Sequence, residues 1–205
     1  TEYSSGNNVI LATLLYICMI YWVVLGLILR KNKNPREDLK KILTHSGRLV
    51  TDYYLLYDSA AYINMGIIGI FATTLTLVLG AQLNGAALAG IFTIMGFGAF
   101  GKHIKNIVPV MIGALLMAAL NTPDIAEPGN INTILFCTGL APIAGQYGPI
   151  WGIIAGFLHM ILSGYIGQIT GGLNLYNNGF AAGFVALVLV PFILAVKRGR
   201  NSNEA

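Results

Sequence analysis

The chain has 205 residues, 56% of them hydrophobic and only 10% charged, where soluble domains carry about 25% charged residues. That composition excludes an ordinary soluble globular domain and places the chain in the membrane class. The formal charge of +4 does not call for a nucleic-acid partner, because the basic residues flank apolar segments instead of forming a patch.

No Met precedes Thr1, so the chain reads as a fragment, a processed product or the later part of a longer protein. The first apolar run, Val9 to Leu29, has no basic stretch before it and is followed at once by Arg30 and Lys31. It therefore reads as a spanning helix and not as a signal peptide. From Leu39 to Tyr57 apolar and tyrosine residues recur near helical spacing with Lys40, Lys41 and Arg48 between them, the pattern of an interfacial helix. Ala60 to Ala81, Ile150 to Ile169 and Gly179 to Val196 are further spans. Between them lie three shorter, glycine-rich pieces, Gly85 to Gly101, Ile107 to Leu120 and Ile131 to Gly145, each marginal for a full crossing. They are short spans, or some are half-helices that enter and leave on one side.

Counting all seven as crossings puts every basic residue on one side. Seven lie in the connector from Arg30 to Arg48, Lys102 and Lys105 follow the third segment, and Lys197, Arg198 and Arg200 follow the last. Asp124 and Glu127 fall opposite. Because Lys and Arg collect in cytoplasmic loops, the expectation is an external N-terminus and a cytoplasmic C-terminus. Making the third and fifth pieces re-entrant would strand Lys102 and Lys105 outside. The fold class expected is all-α, a polytopic membrane bundle of about seven segments. It divides into an N-terminal helix over 1–30, a basic connector over 31–59, a core bundle over 60–197 and a tail over 198–205.

Gly96-Phe97-Gly98-Ala99-Phe100-Gly101-Lys102-His103 satisfies GxGxxG and nearly a phosphate-binding loop. The context is wrong, since both motifs need a strand before them and His103 stands where a Ser or Thr should bind magnesium. Small-residue packing in lipid is the reading adopted. Cys18 and Cys137 lie in apolar runs without metal spacing, so neither a disulfide nor a metal site is expected. No carboxylate pair in a span, HExxH or nucleophile elbow occurs, so no enzyme and no cofactor is expected.

The residues with chemistry are mostly amides. His159 lies deep in a span, where an ionisable group faces a cavity or a partner by default. Asn64 lies in a second span, Asn84 and Gly85 open the third segment, and Asn174, Asn177, Asn178 and Gly179 cluster before the last. Asn84 and Asn178 each precede a glycine and an apolar run, so each can cap a helix whose amides point toward a binding cavity. Asn84-Gly85-Ala86-Ala87-Leu88-Ala89-Gly90 and Asn178-Gly179-Phe180-Ala181-Ala182-Gly183 read as degenerate copies, a sequence pointer to a transporter site. Gly152 to Gly156 and Gly179 to Gly183 are GxxxG pairs that bring helices together within the chain or, less simply, between two copies.

Ser46-Gly47-Arg48-Leu49-Val50-Thr51-Asp52, Ile63-Asn64-Met65-Gly66, the Gly96 to His103 block and above all Gly171 to Gly183 resemble a family of bacterial membrane proteins, mostly from Firmicutes, catalogued as domain of unknown function fifteen seventy-six. The resemblance implies a protein about twice as long, of which this chain is the C-terminal half. It brings no catalytic or binding residues. Asn84-Gly85 with Leu88 and Gly90 is also similar to a short glycine-asparagine-glycine element of bacterial urea transporters. The expected function is that of a small-solute transporter or channel built on interrupted helices, with a membrane scaffold or complex subunit as the alternative. With few charges at depth, the solute expected is neutral or zwitterionic. The bilayer, a second copy and an N-terminal half are the other partners expected.

Overall fold

A backbone in lipid has no water to satisfy its amides and carbonyls, so a chain this apolar must bond them within helices. The computed structural model describes residues 2–29, 34–48, 51–169 and 174–203, with side chains over 8–29, 34–48, 51–166 and 177–199. Among the described residues there is no strand. The helices are α1 (Glu2–Ile28), α2 (Pro35–Ile42), α3 (Tyr53–Tyr57), α4 (Ala60–Val78), α5 (Gly85–Phe97), α6 (Ile104–Asn121), α7 (Pro128–Phe136), α8 (Ala141–Tyr147), α9 (Pro149–Ile169) and α10 (Asn174–Asn203). A single 3-10 turn, Cys137–Leu140, joins α7 to α8. Five helices, α1, α4, α6, α9 and α10, are long and apolar enough to cross a bilayer.

The two ends of the bundle follow from cross-chain contacts. At one end Asn8 of α1 clasps the α4–α5 connection, its side chain donating to the Ala81 carbonyl at 3.3 Å and accepting from the Leu83 amide at 2.7 Å. At the other end Asn64, in the second turn of α4, bonds the carbonyls of Gly98 and Lys102 just beyond α5. Helix α5 thus starts at the first end and finishes at the second. It passes through the bundle, although its 13 residues rise only about 20 Å at 1.5 Å per residue. α6 returns the chain to the first end, and α7, the 3-10 turn and α8 together carry it back to the second, where Gly145 packs on the backbone of Ser46. Lys197 of α10 reaches the ring of Tyr147 there, 5.2 Å from its centroid.

Seven passes result among the described residues, and the third and fifth go through the bundle without turning back. Arg36, Lys40, Lys41, Arg48, Lys102, Lys105, Lys197 and Arg198 gather at one end of the bundle, and Asp124 and Glu127 lie in the connection at the other.

Two helix pairs carry the closest packing. Between α1 and α4, a Cβ added at Gly26 would meet Ile63 and the Ser59 carbonyl, and one at Gly66 the Met19 carbonyl at 2.7 Å. Between α6 and α9 the contact is reciprocal: Gly113 lies on the Ile153 carbonyl and Gly156 on the Val110 carbonyl. Glycine lets backbones meet where lipid supplies no hydrophobic drive for association, so dispersion contacts must do the joining.

Two sequence expectations need correction. The segment from Leu39 to Tyr57 is not one interfacial helix but α2 and α3, with the chain between them turned by Gly47 at φ +73°. Asp52 restarts the helix by accepting from the amides of Tyr54 and Leu55. Tyr53 is fully buried with Ile42, Ala60 and Ala61, and Tyr57 bonds His45 at 2.6 Å, so two of the three tyrosines serve packing. Residues from 198 onward, expected as a tail, are helical as far as Asn203. Finally, of the two GxxxG pairs only Gly152 and Gly156 join helices; a Cβ at Gly179 or Gly183 would meet nothing within 4 Å.

Candidate functional site

The fifth crossing is broken for a local reason. In an uninterrupted helix the amide of residue 142 would bond the Thr138 carbonyl, but Pro142 has no N–H, and Gly139 weakens the helix just before it. The chain tightens into the 3-10 turn at Cys137–Leu140 and restarts as α8. Against this break lies a cavity of about 370 Å³ lined by residues of four parts of the chain: Thr93, Phe97 and Lys102 from α5 and the turn after it, Phe136 to Pro142 from the break, Asn178, Gly179 and Ala182 from α10, and Gly47 from the basic connector. Phe97, Gly139 and Gly179 are exposed, so the cavity opens on the outside of the bundle. Its size lies within the range of about 300–1,000 Å³ usual for ligand pockets.

Lys102 is the charged wall of this cavity. Its Nζ donates to Thr138 Oγ1 at 2.8 Å and stands 5.0 Å from the centre of the Phe97 ring. The Thr138 hydroxyl proton is already committed, donating to the Leu135 carbonyl at 2.8 Å. Burial pushes the Lys102 pKa down to about 8, since a low-dielectric site penalises the charged form. At neutral pH it still carries its proton. Lys41 pairs with Asp38 at 3.3 Å, whereas Lys102 has no carboxylate partner among the described residues.

Asn64 does not line the cavity. It is 3% exposed, and both its bonds go to the turn that presents Lys102: Nδ2 to the Gly98 carbonyl at 2.7 Å and to the Lys102 carbonyl at 2.8 Å. Asn106 closes the same turn, donating to the Gly101 carbonyl at 2.9 Å and accepting from the His103 amide at 3.0 Å. The glycine-rich block thus runs from the last turn of α5 into a packed turn, Gly98 to Gly101, between helices. His103 is buried and its Nε2 donates to the His45 carbonyl at 2.8 Å; burial lowers its pKa, which keeps the ring neutral at pH 7.

The remaining amides separate. Asn84 caps α5, its side chain accepting from the Ala87 amide at 2.9 Å, and with Gly85 it sits at the acidic end away from the cavity. Asn178 and Gly179 line the cavity, but Asn178 caps nothing: α10 starts earlier, at Asn174, and Asn178 lies inside it. The two Asn-Gly stretches are therefore not equivalent positions of a repeat, one being a helix start and the other a helix interior. Asn177 faces a second, smaller cavity of about 200 Å³ with Asn130, Thr133 and Ser163 at the acidic end. Asn174 begins α10, and its side chain lies outside the described residues.

His159 is completely buried and ties α9 to α10, its Nε2 3.1 Å from the Asn178 carbonyl. A carbonyl only accepts, so Nε2 carries the hydrogen. His159 thus supports the cavity wall from behind without lining it. His159→Leu is expected to destabilise the protein by about 0.6 kcal/mol, the average measured for interhelical hydrogen bonds in a membrane protein, and by no more than about 1.7 kcal/mol. Thermal unfolding in detergent checks this; a loss below 0.3 kcal/mol would show that the bond does not hold α10 in place.

From sequence alone Lys102 is a topology marker, and Thr138, Gly139 and Pro142 carry no role. The signal available was a threonine-glycine pair three residues before a proline inside a crossing already too short for one helix.

A bundle of apolar helices with two short crossings packed among five long ones is an integral membrane protein of the polytopic α-helical class. The chain belongs to the family described as protein of unknown function DUF1576, whose profile matches residues 31–195. No curated protein and no solved structure matches it.

Proposed function

We propose that the chain forms the solute path of a small-solute transporter or channel, with the cavity at the broken fifth crossing as the binding site. The observation that carries this reading is the convergence of Lys102, Thr138 and Asn178, from three separate segments, at a break in a membrane-spanning segment. Broken helices persist at membrane depth only where protein covers them or a cavity is lined by them. Of the amides expected to bind solute, we assign that role to Asn178, which lines the cavity, with Asn64 and His159 acting behind it. The basic end is assigned to the cytoplasm of a bacterial plasma membrane on the rule that Lys and Arg stay inside. Modification of a Lys105→Cys variant by an impermeant thiol reagent, only after the membrane is opened, is the result expected of intact cells.

Flux is tested in proteoliposomes by stopped-flow light scattering with small neutral and zwitterionic solutes, urea and glycine among them. Gly139→Leu places a side chain in the gap between the break and α10, where the nearest atom to an added Cβ is Ala182 Cβ at 3.9 Å. It is expected to reduce flux more than tenfold, and Asn178→Leu to change it as well. Equal rates in wild-type, Gly139→Leu and empty liposomes would end the transport reading.

One observation favours the alternative of a complex subunit. Gly179 and Gly183 leave a bare track on α10, flanked by exposed Phe180 and Phe184, which suits a close helix–helix contact with another chain. Stoichiometric co-purification of a membrane partner, lost in Gly183→Leu, with no solute flux, would select it.

A further inference from the structure

The sequence points to a neutral or zwitterionic solute, a class that does not account for the half-buried cation at the break. An ammonium has three protons to donate, and Lys102 places one on Thr138. Two protons therefore have no protein acceptor among the described residues, and they lie at a cavity whose other walls are largely apolar: Phe97, Phe136, Ala141, Pro142 and Ala182. Holding a charge partly desolvated in such a place without a counter-ion costs free energy. The sequence nevertheless fixes it there through Asn64, which bonds the Lys102 carbonyl, and through Thr138 and the Phe97 ring. Three restraints on one cation with no anion beside it describe half of an ion pair.

We infer that this cavity binds an organic anion, with a carboxylate or phosphate on Lys102 Nζ and an apolar body against Phe97, Phe136 and Ala182. The cation and the cradle both select for this class. The ammonium favours an anionic head, and the aromatic and alanine walls leave Thr93 and Asn178, beside the Lys102-bonded Thr138, as the polar side chains for a second charged end. Because the cavity opens on the outside of the bundle, the same chemistry has two sources: a dissolved carboxylate from the basic side, or an anionic lipid from the surrounding leaflet.

The inference concerns the same cavity as the proposed transport, but binding is measured without flux. The purified full chain in phosphatidylcholine nanodiscs is titrated calorimetrically with benzoate and with benzamide, its uncharged counterpart. In the second arm, nanodiscs containing phosphatidylglycerol are released into native mass spectrometry to count retained lipid. Benzoate is expected to bind at one site at least about tenfold more tightly than benzamide, and Lys102→Met to abolish that preference while Lys102→Arg keeps it. If the lipid is the occupant, one phosphatidylglycerol per chain is retained by wild type and lost from Lys102→Met. Ala182→Phe fills the cavity, leaves the ammonium in place and is expected to abolish both, with an unchanged melting temperature showing that it folds.

The groups facing Lys102 fix the pH response. Cys137 is the titratable side chain on the break, His103 follows in sequence, Arg48 adjoins Gly47 in the connector, and α5 and α10 present no titratable group to the cavity. Among the described residues no carboxylate lines the cavity. Anion binding is therefore expected to be full at pH 7 and to fall as pH rises through about 8, when Lys102 loses its proton. Benzoate and benzamide binding alike, or Lys102→Met binding both as wild type does with no lipid retained, overturns the inference. Anion binding with no flux of any solute would sink transport and leave this site standing; flux without anion binding would do the reverse.

Discussion

Asn64→Leu is expected to lower the stability of the protein by roughly 2 kcal/mol or more, because it leaves the Gly98 and Lys102 carbonyls, both close to buried surroundings, without their shared donor. The same substitution is expected to weaken anion binding although Lys102 itself is untouched, since Asn64 sets where the turn presents that side chain. Asn64→Asp separates hydrogen bonding from packing. It keeps the shape of asparagine but as a carboxylate has no proton to give, so it is expected to be at least as damaging as leucine. Thermal stability in detergent and benzoate calorimetry on the same preparations read the two effects. Wild-type behaviour of Asn64→Asp in both would show that the contact with the turn does not depend on donation.

The second large effect is expected where α6 and α9 cross. A Cβ on Gly156 would fall on the carbonyl of Val110 and 3.1 Å from the Ala114 amide nitrogen, and one on Gly113 on the carbonyl of Ile153 and 2.8 Å from the Phe157 amide nitrogen. The obstacles are backbone atoms, which cannot rotate away as a side chain can. Overpacking of this kind costs typically 1–3 kcal/mol, and Gly156→Ala is expected at the upper end of that range. Gly183→Ala, in the same GxxxG pattern on α10, meets nothing within 4 Å and should stabilise slightly, because alanine is the better helix former by up to about 1 kcal/mol. Opposite signs from two like motifs would be read as a shift in the temperature at which half the protein stays monodisperse. Equal losses at the two sites would mean that α10 has a partner at Gly183.

The contrast between those glycine pairs marks how far the sequence alone reaches. The seven passes and the gathering of basic residues at one end were legible, because hydropathy and charge act on each segment separately. The cap at Asn84 was legible for the same reason, being local chemistry between residues three apart. Asn178 was not. Asn-Gly before an apolar run has the form of a helix start, but α10 is already under way at Asn174, and Asn178 is placed by its packing on α9, where its carbonyl meets His159.

Lys102 shows the same limit from the other side. Its position after an apolar stretch announces a membrane boundary, and that reading fits its place at the basic end. Nothing in the neighbouring residues says that the side chain turns inward to Thr138, 36 positions further along the chain. The site depends on a long-range approach that hydropathy does not encode, held by an asparagine 38 positions before it. The break beside it was closer to being readable, since Gly139 and Pro142 act on their own segment.

The basic connector touches the bundle at two glycines, Gly47 against Gly101 at 2.8 Å for an added Cβ and Ser46 against Gly145. Surface connections normally absorb insertions and drift in sequence. This one is wedged between the turn that carries Lys102 and the helix that follows the break, so its length is as constrained as that of a core segment. An epitope or fluorescent reporter spliced in at Ser46-Gly47 would pry those two neighbours apart, and labelling experiments on this protein should place their tags elsewhere.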